Sequence, residues 1–332
     1  MMEASILICS KGRRYLLKRL ISTIKRMEYS GQLLEIIVVE ETNKPKPLRG
    51  VTYIAIPVKN FGIGYARNIA LSNATKPIVV FVDDDCEVEK KWLIKLLLPF
   101  SDPEVMGVAG AVKVRDCNAI GWAENIIGVP GGGLRYVAIA NGRYIPTDYL
   151  STVNCAYRKE ILLSQGGFDV RASLGGEDAL LARKICRTGK CIYVYDAVVY
   201  HKPRANLGRI LKWFIQRGRA EIKVWLLDER RSKAGFYICR SSITLKLFVF
   251  SIIGAVSGYL SSFFGLFFIV YLLLNISHTR WAINLGAPFL SCILVPAVKI
   301  VMDIGTDIGR GMELICNLRR RIKKRNCYHG HS

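Results

Sequence analysis

Three consecutive carboxylates, Asp83, Asp84 and Asp85, follow an apolar run in a chain whose formal net charge is +22. Adjacent carboxylates repel one another unless a positive charge lies among them. Asp83 and Asp85 have the D-x-D spacing that lets two carboxylates converge on one divalent cation, Mg2+ or Mn2+, whose oxygen shell a nucleotide diphosphate completes. The bound cation would then remove the repulsion. A solvated turn or a helix cap before the segment EKKWLIKLLL is the structural alternative.

A loop with two glycines precedes the acidic run, in the segment NFGIGYARNIAL at residues 60–71. Gly62 and Gly64 permit a tight turn and a close backbone approach just before a helix. Arg67 and Asn68 fall in the first turns of that helix, where they would contact a phosphate or brace the loop. A dinucleotide-binding fold needs a third glycine where Arg67 stands, directly after the first strand, so the pattern argues against a dehydrogenase.

A second acidic pair, Glu177 and Asp178, opens a helical pattern after two glycines. The helix dipole favours a charged carboxylate in a first turn, so a structural cap is one interpretation. An ionised Asp178 is also able to accept a proton as a general base, with Glu177 as the second catalytic candidate. His201 ends the apolar stretch CIYVYDAVVY, and at a strand end it is a candidate third metal ligand beside Asp83 and Asp85.

Short apolar runs alternate with helical patterns over the first two hundred residues: SILIC, EIIVVE, VTYIAIP and PIVVFVD are separated by helices at 16–27 and 64–74. The runs are rich in Ile and Val on both faces, which is typical of strands in a parallel sheet covered by helices. The sequence therefore predicts an α/β domain. In such sheets ligands bind beyond the carboxyl ends of the strands, where the three aspartates lie.

The ten cysteines form no C-x-x-C pair and no zinc-ligand spacing, so they suggest neither a disulfide framework nor a structural metal site. A reducing cytoplasm suits them best. The N-terminus places an acidic residue before a short apolar run, unlike a secretory signal.

The C-terminal third has the composition of a membrane protein. Residues 247–274 carry no charge and are long enough to cross a bilayer as one helix. Residues 281–303 form a weaker second candidate, interrupted by Pro288 and Pro296. The basic cluster at 319–325 favours a cytoplasmic C-terminus. A cytoplasmic N-terminal domain then requires an even number of crossings, which two spans or a re-entrant hairpin would provide.

A basic segment, residues 205–246, links these two parts. From Lys202 to Lys246 the chain has twelve Lys or Arg against three acidic residues, and apolar Ile210 and Phe214 recur at helical spacing. This pattern predicts an amphipathic helix on an anionic membrane surface, or a helix whose apolar face packs on the domain. Nucleic acid is the less simple partner, because the charge lies beside an apolar stretch.

Taken in order, these motifs resemble the inverting family 2 glycosyltransferases, whose domain has a GT-A-type fold with a mostly parallel central sheet. The resemblance covers roughly residues 3–204. Its motifs are a polar turn at 10–13, an acidic pair at 40–41, N-x-G-x-x-x-A-R-N at 60–68, D-x-D at 83–85, GGFD at 166–169, ED at 177–178, and His201.

The resemblance implies roles for these residues. Asp85 would hold Mg2+ or Mn2+ on the diphosphate of a nucleotide sugar, with Asp83 near the ribose or the water shell of the metal, and Asp178 would deprotonate the acceptor hydroxyl. Glu40 or Glu41 would contact the base, although the family usually has the shorter Asp there. The remaining nucleotide-sugar contacts would come from Ser10, Asn60, Gly62, Arg67 and Asp84.

The chain lacks the Q-x-x-R-W motif of processive synthases, since Gln216 is followed by RGRA. A single transfer to a membrane-borne, polyprenyl-linked acceptor is therefore expected. The predicted organisation is a catalytic domain at 1–204, the basic segment at 205–246, a transmembrane region at 247–305 and a cytoplasmic tail at 306–332. The alternatives are a nucleotidyl or phosphoryl transferase and a non-catalytic membrane adaptor.

Overall fold

The computed structural model describes residues 2–29, 33–59, 61–228, 235, 238–277 and 279–329. Within them nine strands form one mixed sheet, in the order β3-β2-β1-β4-β8-β6-β9-β5 with β7 beside β9. The strands are β1 (Ala4–Lys11), β2 (Leu34–Glu41), β3 (Thr52–Ile56), β4 (Ile78–Val82), β5 (Cys86–Val88), β6 (Val105–Lys113), β7 (Ile145–Pro146), β8 (Asn154–Arg158) and β9 (Lys190–His201).

The predicted α/β domain with a mostly parallel central sheet is confirmed. Strands β3, β2, β1 and β4 run parallel, as do β6 and β9, whereas β8 lies antiparallel between β4 and β6. Every residue of β4 is buried, because helices cover both faces of the sheet. One face packs against Leu17 and Trp92, and the other packs against Ala70 and Leu181.

The helices of the catalytic domain follow the expected alternation. They are α1 (Arg14–Lys25), α2 (Ile63–Asn73), α3 (Trp92–Leu97), α4 (Ala119–Ile127), α5 (Gly133–Ala140), α6 (Lys159–Ser164) and α7 (Glu177–Ile185). The sheet brings distant motifs together at the carboxyl ends of its strands. Ser10 lies near the end of β1 and the aspartates follow β4, while β5 pairs with β9 so that Cys86 stands opposite His201.

The basic segment forms a long helix, α8 (Leu207–Leu227), whose start is capped when the Asn206 side chain accepts a hydrogen bond from the amide of Arg209. Its apolar residues Ile210 and Phe214 are buried in a protein core shared with Ala123 and Leu134 of the catalytic domain. The apolar face is therefore covered by protein, as expected for the second of the two interpretations, a helix packed on the domain. Lys212 remains exposed on the opposite face.

The uncharged stretch 247–274 is divided between two helices, α9 (Ile243–Ser257) and α10 (Leu260–Ser277), in place of the single helix expected. Gly258 between them has φ of 75°, a left-handed conformation that ends a helix and that glycine adopts at little cost. The second predicted span, 281–303, is likewise split between α11 (Arg280–Asn284) and α12 (Phe289–His329), and α12 begins directly after Pro288.

By length and composition, two helical stretches of the described chain could cross a membrane, Leu260–Asn284 and Phe289–Arg319. They differ in burial. The most apolar window of the first is 6% buried and that of the second is 44% buried, because α12 packs along α8. Protein therefore covers almost none of the first candidate span and nearly half of the second.

The crossing of α8 and α12 depends on glycine. A Cβ atom on Gly218 would lie 2.0 Å from the carbonyl oxygen of Thr306, and one on Gly309 would lie 2.0 Å from that of Ile215. Both clashes are with backbone, which a rotamer change does not relieve. The two helices therefore approach so closely that a methyl group does not fit between them.

We expect Gly218→Ala to destabilise the protein by about 1–3 kcal/mol through this overpacking. The matched control is Gly311→Ala on α12, where an added Cβ meets nothing within 4 Å. The control should gain up to about 1 kcal/mol, since alanine is the better helix former. Thermal unfolding of the two detergent-solubilised variants would measure the difference, and equal Tm values would contradict the close crossing.

Candidate active site

The three aspartates are partnered mainly by arginine. Arg13, which follows β1, places its guanidinium 2.6 Å from Oδ1 of Asp84 and forms a second ion pair with Asp85. Asp84 is fully buried, and its Oδ2 accepts a hydrogen bond of 2.6 Å from Ser10. Burial raises the pKa of Asp84 to about 6, although Arg13 works against this. Arginine side chains thus largely offset the repulsion among the three aspartates, for which the sequence suggested a bound metal.

Asp85 lies beside His201, as the pairing of β5 with β9 requires. Nε2 of His201 is 3.3 Å from Oδ1 of Asp85. Burial opposes ionisation of Asp85, but His201 and Arg13 outweigh it and lower its pKa to about 2. The carboxylate is therefore charged at every physiological pH.

Asp85 and His201 have atoms that could bind a metal ion. Oδ1 of Asp85 and Nδ1 of His201 are buried and have no hydrogen-bond partner among the described residues. Among all the residues that the structure describes, there is no group of three His, Cys, Asp or Glu side chains able to enclose a metal ion. One carboxylate and one imidazole fit a cation that takes its remaining ligands from substrate phosphates and water. Asp83, the third predicted ligand, turns instead towards Arg67, at 3.5 Å.

Arg67 is at the centre of a buried charge network. Its side chain is 8% exposed and forms an ion pair with Glu177, which is 2% exposed. Burial opposes the charge on the guanidinium, but Glu177, Asp83 and Asp178 together raise the pKa of Arg67 above its usual range. These contacts show that Arg67 braces the loop before α7. Its predicted contact with the nucleotide sugar, like the catalytic role predicted for Glu177, stays a prediction.

We expect Arg67→Met to cost about 3–5 kcal/mol, because the change leaves the Glu177 carboxylate buried without its cation. Arg171→Met is the matched control, since Arg171 forms an exposed ion pair with Asp169 and should change Tm little. Thermal unfolding would show a drop of about 10 °C for the first variant. Similar Tm values for the two variants would contradict the bracing role.

Neighbouring residues hold the same loops in place. Asn68 donates from its amide to the carbonyl of Phe168 at 2.8 Å and accepts from the Phe168 amide at 2.9 Å. Gly62 has φ of 87°, and a Cβ there would lie 2.7 Å from Cα of Ser173. The glycine therefore permits a close contact with the loop that leads to α7. Asn60 lies outside the described residues.

The acidic pair at the end of β2 is also engaged by cations. Oε2 of Glu40 accepts hydrogen bonds of 2.6 Å from Arg14 and from the hydroxyl of Tyr53. Glu41 forms an ion pair of 2.8 Å with Lys11. The structure thus places both glutamates at the carboxyl end of β2, and their predicted contact with a nucleotide base stays a prediction.

Asp178 is the more accessible of the two carboxylates at the start of α7. Its Oδ2 lies 3.3 Å from the hydroxyl of Thr152 and 3.4 Å from the Thr152 amide, both of which donate to it. Unlike Glu177, it forms no close ion pair among the residues described. Its Oδ1 accepts a hydrogen bond of 2.8 Å from the amide of Ala179, so both oxygens are held in position. The role of Asp178 as a general base stays a prediction.

Sequence reasoning did not assign Arg13, Arg14 or Thr152 to the site. The two arginines follow β1 directly, and their position at the carboxyl end of a parallel strand was the available signal. Nothing in the sequence pointed to Thr152, because its proximity to Asp178 arises from the placement of β8. A cavity of about 330 Å³ opens beside the metal candidates, and its wall includes Asp85, Arg115, Tyr200, His201 and Lys202.

Comparison with known proteins agrees with this architecture. Residues 5–164 match the family described as glycosyl transferase family 2. Glycosyltransferase AglE of Haloferax volcanii is 25% identical over 167 residues, 49% of this chain and 51% of that protein. The inactive polypeptide N-acetylgalactosaminyltransferase-like protein 5 of Mus musculus is 24% identical over 288 residues, 73% of this chain and 62% of that protein. The chain thus spans about half to three fifths of these curated relatives.

A solved structure extends the likeness to the C-terminal helices. Mannosyltransferase PcManGT from Pyrobaculum calidifontis, in complex with GDP-Man and Mn2+, superposes with a TM-score of 0.59 at 17% identity, covering 92% of this chain and 87% of that chain. This likeness shows a shared fold of the GT-A type. By its sequence match and by the sheet that carries its aspartates, the domain at residues 5–164 belongs to glycosyl transferase family 2.

Proposed function

We propose that the protein transfers a sugar from a nucleotide-sugar donor to a membrane-borne acceptor, with inversion at the anomeric carbon. The observation that carries this proposal is the meeting of Asp85 and His201 at the carboxyl edge of a sheet whose domain belongs to family 2. Asp178 lies at the same edge of the sheet, and its negative charge, like that of Asp83, raises the pKa of Arg67. The catalytic unit comprises residues 1–204.

Asp85 and His201 are the residues that would hold Mg2+ or Mn2+. A divalent cation bound there would stabilise the negative charge of the leaving diphosphate. Its fit rests on a buried carboxylate oxygen without a hydrogen-bond partner in the described chain. The Pyrobaculum calidifontis mannosyltransferase, solved with GDP-Man and Mn2+, supports testing a guanosine donor and manganese first.

Asp178 accepts the proton of the acceptor hydroxyl as that oxygen attacks the anomeric carbon. The hydroxyl and amide of Thr152 orient one oxygen of the carboxylate and the amide of Ala179 orients the other, while the group stays partly accessible. A single displacement of this kind inverts the configuration. Glu177 acts as a positioning residue for the start of α7, because its carboxylate forms an ion pair with Arg67.

The acceptor is proposed to be lipid-linked, in the manner of a polyprenyl phosphate or a polyprenyl-linked saccharide. Apolar helices follow the catalytic domain, and α8 keeps basic residues such as Lys212 exposed. This arrangement would hold the active site at the level of the lipid headgroups. We propose that the catalytic unit and the basic C-terminal tail both lie on the cytoplasmic side of the cell membrane, because basic clusters favour that side.

Donor binding tests the proposal directly. In thermal-shift measurements with UDP-, GDP- and dTDP-sugars, one donor is expected to raise Tm only when Mn2+ or Mg2+ is present. EDTA should remove the shift, because the diphosphate and the protein share the cation. Stabilisation by no donor, with or without metal, would contradict the proposal and favour a non-catalytic membrane adaptor.

A further inference from the structure

The helices α9 and α10 carry a long exposed apolar surface, and the start of α12 also exposes Phe289 and Leu290. Between Lys246 and Arg280 the sequence contains no Lys, Arg, Asp or Glu. Large apolar side chains point outwards along both helices, and a water-soluble protein rarely exposes so continuous an apolar surface. The most exposed of them are Phe248, Val256, Tyr259, Ile269, Leu273 and Leu274.

Both ends of this helix pair are fastened to the same part of the protein. At the start of α9, the hydroxyl of Ser242 and the amide of Thr244 donate to Asp307 of α12, each at 2.9 Å. After α10, Ala282 is buried in the core that includes Ala123 of the catalytic domain. The chain therefore leaves the catalytic domain and returns to it, with Gly258 at the turn.

The first arm is too short to cross a bilayer. From Lys246 to Gly258 an α-helix rises about 18 Å, whereas the hydrocarbon core is about 30 Å thick. The turn consequently reaches about the middle of the membrane when Lys246 stays at the headgroups. Lys246 and Arg280 are both exposed at the ends of the apolar surface, where they match anionic headgroups.

The long helix α12 remains with the protein. Arg310 forms an ion pair of 2.7 Å with Glu221 of α8, and Glu313 forms one of 3.1 Å with Arg219. Charged side chains that are paired in this way across a close helix crossing keep this part of α12 against the protein. The end of α10 contacts the same helix, where the hydroxyl of Tyr271 donates to Asp303 at 3.2 Å. The glycine contacts of α8 hold the same part of α12.

We infer that residues 243–277 form a re-entrant hairpin that dips into the lipid bilayer from the catalytic side and returns to that side, while the charged part of α12 that pairs with α8 stays outside the membrane. The chain would then be monotopic, in place of the two spans predicted from sequence at 247–274 and 281–303. The charge pattern selects lipid as the occupant, because basic residues border the apolar surface at both ends. This inference is independent of the sugar-transfer reaction.

Thiol labelling in sealed vesicles tests the topology. Tyr259→Cys marks the turn, Arg280→Cys marks the chain after α10, and the exposed native Cys239 marks the side of the catalytic domain. A membrane-impermeant maleimide is applied to vesicles of each orientation, and labelled peptides are identified by mass spectrometry. We expect Arg280→Cys to be labelled from the same face as Cys239, and Tyr259→Cys to be protected from both faces.

Other labelling results would overturn the inference. Labelling of Tyr259→Cys from the opposite face would show that the hairpin crosses the bilayer. Labelling of Arg280→Cys only from the opposite face would show that α10 crosses alone. Full labelling of Tyr259→Cys after detergent solubilisation must accompany protection in vesicles, since it shows that lipid does the protecting. A lipid-free dimer that shields Tyr259→Cys would make a second copy the occupant and would also overturn the inference.

Discussion

Replacing Asp85 with alanine is expected to abolish sugar transfer, with a loss of at least about a thousandfold in turnover. Asp85 combines a pKa lowered to about 2 with a buried oxygen that has no hydrogen-bond partner in the described chain. A permanently charged, partly unsatisfied carboxylate is suited to bind a cation on the diphosphate. The measurement is release of nucleoside diphosphate from the donor identified by thermal shift, at saturating Mn2+.

The control for this experiment is Asp102→Ala. This change removes an exposed carboxylate that is paired with Lys190, at the start of β9 and away from the carboxyl ends of the strands. Its turnover should equal that of the unmodified protein. Asp85→Ala must also keep a cooperative unfolding transition, so that lost activity is not lost structure. An Asp85→Ala protein that is folded and still active would contradict the assignment of the metal to this carboxylate.

Asp178→Asn is expected to lower turnover by about a hundredfold to ten-thousandfold if the acceptor attacks through a sugar hydroxyl. Asparagine has nearly the same shape and retains an oxygen that can accept the hydrogen bond from Thr152. It cannot take a proton. The loss should therefore fall on turnover, with donor affinity and Tm little changed. Single-turnover kinetics with donor in excess would separate the chemical step from binding.

The same variant reports the chemistry of the acceptor. A polyprenyl phosphate is already an anion and attacks without a general base, whereas a lipid-linked saccharide needs one. If Asp178→Asn keeps nearly full turnover while Asp85→Ala loses it, the acceptor is a phosphate and the base assignment is wrong. The matched control is Asp169→Asn, since Asp169 pairs with exposed Arg171 and should leave turnover unchanged.

The sequence predicts the sheet well because its signals are local. Alternating apolar runs define the strands, and parallel strands place Ser10, Glu40 and Asp83 at one edge whatever the register. The pairing of β5 with β9, which brings His201 to Asp85, depends on a short strand that no periodicity marks. The position of Arg13 after β1 was a weaker signal, since an arginine after a strand is as often a solvated surface residue.

The C-terminal helices show where sequence reasoning loses information. An apolar face is the same pattern whether lipid or protein covers it, so Ile210 and Phe214 predict a surface helix as readily as a buried one. The absence of charge at 247–274 favours one long helix, and a single glycine, Gly258, redirects the chain. Which partner covers a helix is decided by residues far away in the sequence, such as Thr306 of α12.

The guanidinium of Arg13 lies against Asp84 and Asp85. This edge of the sheet thus carries an internal counterion. A divalent ion that binds here would displace the Arg13 side chain from carboxylates whose charge is already compensated. Metal binding would therefore change the net charge of this site by less than the three adjacent carboxylates suggest. The displaced Arg13 side chain would then be available to bind a phosphate.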